Sequence, residues 1–233
     1  MNYWLILIPL ISAFIGWFAA HLRDGIAFSD QAMIMWAGVA ILATMGFLDD
    51  FLKVRKSHNR GIFWKKKGYI TFAICIALTW WLTAATGVSE TLSFTRADLP
   101  GITFTWPLFV IWTALMVWGT SNAVNVTDGL DGLAAGSASF GFIAFTVIAY
   151  WAFRNPQIYS DVVNPLDLAV LAASLAGACG GFLWWNAAPA RIFMGDVGAL
   201  GLGTALGLLA VTTNTHLLLP LICAINVIEA GSV

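Results

Sequence analysis

The sequence has 233 residues, of which 60% are hydrophobic and only 10% charged, with a formal net charge of −1. An ordinary soluble domain carries roughly a quarter charged residues. This chain cannot cover itself with polar surface, which excludes a soluble globular protein.

About 20 mostly apolar residues are enough to cross a bilayer. In chain order, spans are predicted over 3–20, 32–48, 69–86, 106–120, 133–153, 168–185, 197–212 and 216–228. The expected fold class is an all-α polytopic membrane protein with about eight transmembrane helices. With no internal repeat or low-complexity linker, 1–233 reads as one transmembrane domain. The first span follows Met1 with no basic leader and no small-residue cleavage site, so it reads as retained.

Between the third and fourth spans, the segment 87–105 alternates loosely, with Leu92 and Phe94, then Ile102 and Phe104, around a Leu-Pro-Gly turn signal. A small external hairpin near 90–105 is predicted. Trp64, Trp106, Trp151 and Trp184 fall at span ends, as in an interfacial aromatic belt. Cys75, Cys179 and Cys223 lie in separate apolar stretches, match no metal-ligand spacing, and read as buried hydrophobes.

Lys and Arg in short loops remain on the cytoplasmic side. The loop 51–68 holds Lys53, Arg55, Lys56, Arg60, Lys65, Lys66 and Lys67, seven of the chain's 11 basic residues. With that loop inside, the segments 122–131 and 186–196 are inside as well, and only Arg23, Arg96 and Arg154 lie outside.

Charge at membrane depth is costly and normally serves a substrate, ion or proton path. Asp49 and Asp50 close the second span, Asp128 and Asp131 precede the fifth, and Asp196 precedes the seventh. A helix-end salt bridge to Lys53 accounts for one of Asp49 and Asp50, because adjacent helical residues point about 100° apart. The other acid then needs a different partner. In Ser121–Leu133, Asn122, Asn125, Asp128 and Asp131 recur every three residues with Gly129 and Gly132 interleaved. A helix break at the Asp-Gly steps would let these groups converge and would allow close backbone approach. The plainer reading makes Asp128 or Asp131, and likewise Asp196, a helix cap. Oxygen-bearing side chains beside a basic loop fit magnesium-assisted phosphoryl chemistry, since magnesium takes one or two carboxylates plus substrate phosphate oxygens.

These motifs, Gly46-Phe-Leu-Asp-Asp50 followed by Lys53, then Asn122 to Leu133, then Gly181 to Gly198, resemble the polyprenyl-phosphate N-acetylhexosamine-1-phosphate transferase family. The resemblance runs through nearly the whole chain. It implies eight of the family's ten spans, with the first span here similar to the family's second. The first family span, the Pro-Thr-Met-Gly-Gly stretch after it and the last span are missing from the pattern. So is a His-rich loop expected after Gly231-Ser232-Val233, for which His21, His58 and His216 do not stand in by position. On that ground the chain alone is expected to be inactive. Ala199 stands where the family usually has Ser, and Thr71 where it usually has Gln.

The resemblance further implies transfer of phospho-MurNAc-pentapeptide from UDP-MurNAc-pentapeptide to undecaprenyl phosphate, with Mg²⁺ and release of UMP. Asp49, Asp50 and Asp196 would be catalytic, with Asp196 the magnesium ligand. Asp49 and Asp50 would work on the lipid phosphate, as a base or through a covalent intermediate. Lys53 and Lys67 would face phosphates, while Asn122, Asn125, Asp128, Asp131, Asn186 and Phe193 would line the uridine-sugar pocket. The implied location is a bacterial inner membrane with the site on its cytoplasmic face. The lipid bilayer is a partner, nucleic acid is not, and a homodimer is compatible with the pattern. Two other readings are a UDP-N-acetylglucosamine donor and an ion- or proton-coupled transporter; the latter fits less well, because transporter sites lie near the bilayer midplane.

Overall fold

The computed structural model describes residues 4–23, 25–55 and 63–232, with side chains except those of residues 4–6, 54, 55 and 64. Lys56, His58 and Arg60 of the basic loop, and the side chains of Arg55 and Trp64, lie outside the described residues. The elements run α1 (Trp4–Ala20), α2 (Asp30–Arg55), α3 (Trp64–Thr86), β1 (Thr91–Arg96), β2 (Leu99–Thr103), α4 (Trp106–Thr127), α5 (Leu133–Arg154), α6 (Pro165–Asn186), α7 (Gly195–Thr212), α8 (Leu219–Ile222) and α9 (Ala224–Ser232).

The expected all-α polytopic membrane fold is found. Helices α2 to α7 are each long and apolar enough to cross a membrane, and α1 is a shorter apolar helix. The predicted eighth span is not one continuous helix. It divides at Cys223 into α8 and α9, and Asn226 of α9 donates hydrogen bonds to the hydroxyls of Thr127 and Ser137, both 3.1 Å away. A buried amide with partners on α4 and α5 holds α9 against the bundle.

The predicted hairpin is present, with β1 and β2 antiparallel and Leu92 opposite Ile102. The Leu217 N–H donates to the Ser93 carbonyl at 2.9 Å, which fastens the hairpin over the loop before α8.

Helix α7 is the axis of the fold, and every residue from Val197 to Thr212 is buried. Lipid tails are as apolar as leucine, so membrane helices associate through close packing, and small residues permit it. A Cβ on Gly203 would stand 2.5 Å from the Ser121 Cα, and one on Gly207 would stand 2.8 Å from the Val117 Cα. Glycine spaced four residues apart thus lets α7 lie backbone to backbone on α4.

At the pole that carries the hairpin, a buried carboxylate pins three helices together. Asp167, in the first turn of α6, accepts hydrogen bonds from Trp17 Nε1 at 2.6 Å, Ser29 N at 2.8 Å and Ser29 Oγ at 2.7 Å. His21 Nε2 stands 3.1 Å from the same carboxylate, and its Nδ1 donates to the Trp17 carbonyl at 2.8 Å. The ends of α1, α2 and α6 therefore meet on one acid.

Candidate functional site

The other pole is built where α2 and α7 touch. A Cβ on Gly46 would meet the Asp196 carbonyl oxygen at 2.4 Å, so only glycine lets the two backbones approach this closely. One turn further along α2, Asp49 and Asp50 come beside Asp196, which lies in the first turn of α7 at the positive end of that helix. The Asp196 N–H donates to Asp50 Oδ2 at 3.1 Å. One oxygen from each of the three carboxylates lies within 4.8 Å of the others.

Three carboxylates this close repel one another by on the order of 3 kcal/mol per pair at an effective dielectric of about 20. Two lysines offset that repulsion. Lys53 Nζ lies 2.8 Å from Asp49 Oδ2, 3.1 Å from Asp50 Oδ1 and 2.9 Å from Asp196 Oδ2. Lys67 Nζ lies 3.2 Å from Asp49 Oδ2 and 2.6 Å from Asp196 Oδ2. The expectation that Lys53 would serve only one of its two helical neighbours is corrected, since its flexible stem reaches both and Asp196 as well.

These carboxylates could hold a divalent cation. An all-oxygen anionic donor set suits a hard ion, and Lys53 Nζ stands at the point that an ion shared by the three acids would take. Among the described residues, Lys53 and Lys67 bring two ammonium groups to these three carboxylates.

Asp128 lies at the C-terminal end of α4 and borders the cluster. Burial pushes its carboxyl up to about 7; a hydrogen bond from the Gly195 backbone opposes the rise, and the charges of Asp196 and Asp50 add to it. Neither Asp128 nor Asp131 caps α5, whose first position follows Gly132 with no side-chain cap. Asp196 is not a cap either, because Met194 precedes α7 in that place. The plainer reading of all three acids is therefore replaced.

The remaining residues divide into two groups. Asn122 and Asn125 line a cleft of about 680 Å³ between α3 and α4, together with Lys67, Phe72 and Trp118. Trp118 Nε1 donates to the Gly68 carbonyl and the Thr71 hydroxyl, each at 3.2 Å, and so fixes the turn of α3 that carries Lys67. Sequence reasoning missed Trp118, which in a helix of apolar residues gave no signal. Asn186 and Asp131 tie loops together. Asn186 accepts from the Gly132 N–H at 3.1 Å and donates to the Ile192 carbonyl at 2.8 Å, while Asp131 accepts from the Ala190 N–H at 3.0 Å. Asn186 is buried, with both ends of its amide engaged. Phe193 is 49% exposed on the loop three residues before Asp196.

Comparison with known proteins bears on this geometry. The model of glycosyl transferase family 4 matches residues 32–214, a stretch that includes every residue of the acid cluster. The chain is 40% identical over 255 residues to the phospho-N-acetylmuramoyl-pentapeptide-transferase of Clavibacter sepedonicus, covering 97% of this chain and 69% of that protein. It is 42% identical over 236 residues to the protein of that name from Rhodococcus opacus (strain B4), covering 94% and 65%. Against the one from Frankia alni it is 39% identical over 242 residues, covering 96% and 66%. The chain thus spans about two thirds of the length of these relatives. With the family model matching most of its length and the acid cluster inside the match, this chain belongs to glycosyl transferase family 4.

Proposed function

We propose that 1–233 is a transferase domain that passes phospho-MurNAc-pentapeptide from UDP-MurNAc-pentapeptide to undecaprenyl phosphate, giving lipid I and UMP at the cytoplasmic face of a bacterial inner membrane. The observation that carries this reading is the cluster of Asp49, Asp50 and Asp196 under the ammonium groups of Lys53 and Lys67. The names of the relatives support the choice of donor.

In this reading Asp196 holds Mg²⁺, with Asp49 and Asp50 at its side. When bound, the ion neutralises charge on the donor diphosphate. Lys53 and Lys67 turn from the carboxylates to the phosphates of the two substrates, a role suited to ammonium groups on flexible stems. Asp49 and Asp50 face the lipid phosphate. A phosphate monoester has its second pKa near 6 and is largely dianionic at neutral pH, so its own oxygen is a competent nucleophile in a direct attack. A covalent route would leave a phospho-sugar adduct on Asp49 or Asp50 when donor is supplied without acceptor. Asn122 and Asn125 in the α3–α4 cleft, with Asp128 and Phe193, contact the uridine and sugar. Asn186 and Asp131 hold the loops that form the wall.

Membranes from cells expressing the chain within its full reading frame should release UMP from UDP-MurNAc-pentapeptide when given undecaprenyl phosphate and Mg²⁺. Faster turnover on UDP-N-acetylglucosamine would reassign the donor. No release of UMP from either donor sinks the transferase reading.

A further inference from the structure

Away from the acid cluster, α1 and α6 leave an apolar groove of about 660 Å³ between them, lined by Ile8, Pro9, Gly177, Gly181 and Trp185 among others. This volume falls within the usual range for a ligand site. Its depth comes from glycine: no atom lies within 4 Å of a Cβ built on Gly177 or Gly181, and both residues are exposed. Trp185 is also a wall of a second hollow, of about 300 Å³, completed by Trp184, Pro189 and Arg191 at the end of α6.

Arg191 gives that mouth its charge. Its guanidinium lies 5.7 Å from the centre of the Trp185 ring, a cation–π arrangement that fixes the direction of a planar donor. The side chain is exposed and, among the described residues, makes no ion pair with a carboxylate. The loop beneath it is held: the Arg191 N–H donates to the Trp185 carbonyl at 2.9 Å, and the adjoining Ala190 N–H engages Asp131. Trp184, 83% exposed, stands beside it where interfacial tryptophans sit.

A held cation at the membrane interface, next to an apolar groove at membrane depth, complements a molecule with an anion at one end and hydrocarbon at the other. Basic pockets between transmembrane helices are suited to anionic lipid headgroups. We propose that this groove binds an anionic phospholipid of the surrounding bilayer, with its phosphate on Arg191 and an acyl chain between α1 and α6. The loop under Arg191 runs on to Phe193 and Asp196, so the bound lipid braces the approach to the acid cluster.

The test is native mass spectrometry of the full chain released from nanodiscs of equal phosphatidylglycerol and phosphatidylcholine. The wild type should retain phosphatidylglycerol in preference. Arg191→Ala should lower the ratio of retained lipids about fivefold, the effect of one interfacial cation on an anionic headgroup, with an unchanged helical circular dichroism spectrum. Arg191→Lys should keep most of the preference, and Gly177→Leu, which fills the groove, should lower retention of both lipids. The proposal is overturned if Arg191→Ala retains the wild-type ratio, or if the folded wild type retains neither lipid. It is also overturned if added undecaprenyl phosphate displaces phosphatidylglycerol from the wild type but not from Arg191→Ala, because the groove then belongs to the acceptor.

Discussion

Asp167 and the Asp49–Asp50–Asp196 cluster are carboxylate sites about 30 Å apart along α2 by the rise of a helix, and their surroundings are opposite in kind. Asp167 is a single charge that meets three hydrogen-bond donors and a histidine. The other pole gathers three carboxylates around two ammonium groups and one backbone N–H. A buried acid whose needs are met by its own fold serves as a fastening. A set of acids crowded together and held by ammonium groups on flexible stems is arranged for something that arrives from outside.

Substitutions that act on one pole and spare the other test this contrast. The largest effect is expected from Asp196→Asn, which, assayed within the full reading frame, should lower UMP release by on the order of 10³-fold, the scale of removing one electrostatic partner from a catalytic site. The same variant should lose divalent-cation binding in titration calorimetry while its melting temperature holds or rises, because one of three mutually repelling charges is gone. Asp167→Ala should do the reverse, lowering stability by about 3–5 kcal/mol in chemical denaturation because it strands buried donors and a buried histidine. Turnover per folded molecule should be unchanged; a loss of turnover equal to that of Asp196→Asn would erase the distinction between the poles. Gly46→Ala should show a mixture, pushing α2 from α7 at a stability loss of about 1–3 kcal/mol and reducing turnover up to about 10²-fold through misplacement of the acids.

The smallest effect is expected at Asp128. Its pKa is raised on folding from 3.8 to about 7, so the folded state binds the proton more tightly than the unfolded chain does. The resulting stability is fully present below about pH 3.8 and is lost as the pH rises through about 7. Asp128→Asn should flatten that slope in melts without added divalent cation, by on the order of 1 kcal/mol after allowance for solvent screening. An unchanged slope would show that Asp128 stays ionised across the range.

The acid pole was legible in the sequence because charge stands out against an apolar background. Asp49, Asp50 and Asp196, with Lys53 as a helical neighbour, stood out in this way, whereas Lys67 was singled out of the basic loop only by the family resemblance, and the structure brings all five together. The hairpin was legible through its turn residues and alternation. Asp167 was not, since one acid just after Pro165 looks like any helix start. Helix α7 was predicted as a span but gave no sign of being the axis, because residues that face lipid and residues that face other helices are equally apolar. The division of the last span escaped for a related reason. Asn226, whose hydrogen bonds hold α9, is a single amide in an apolar run.

The burial of α7 has a consequence for how the molecule is made. Its main neighbours α1, α2, α4, α5 and α6 precede it in the chain, and only the short α8 that touches it follows, so the main neighbours are synthesised before α7. Asp196 therefore arrives after the acids it must join, and until then Asp49 and Asp50 face Lys53 and Lys67 without it. A nascent chain has no complete acid cluster until its seventh helix is inserted, which ties the appearance of the site to the arrival of the helix on which the bundle is centred.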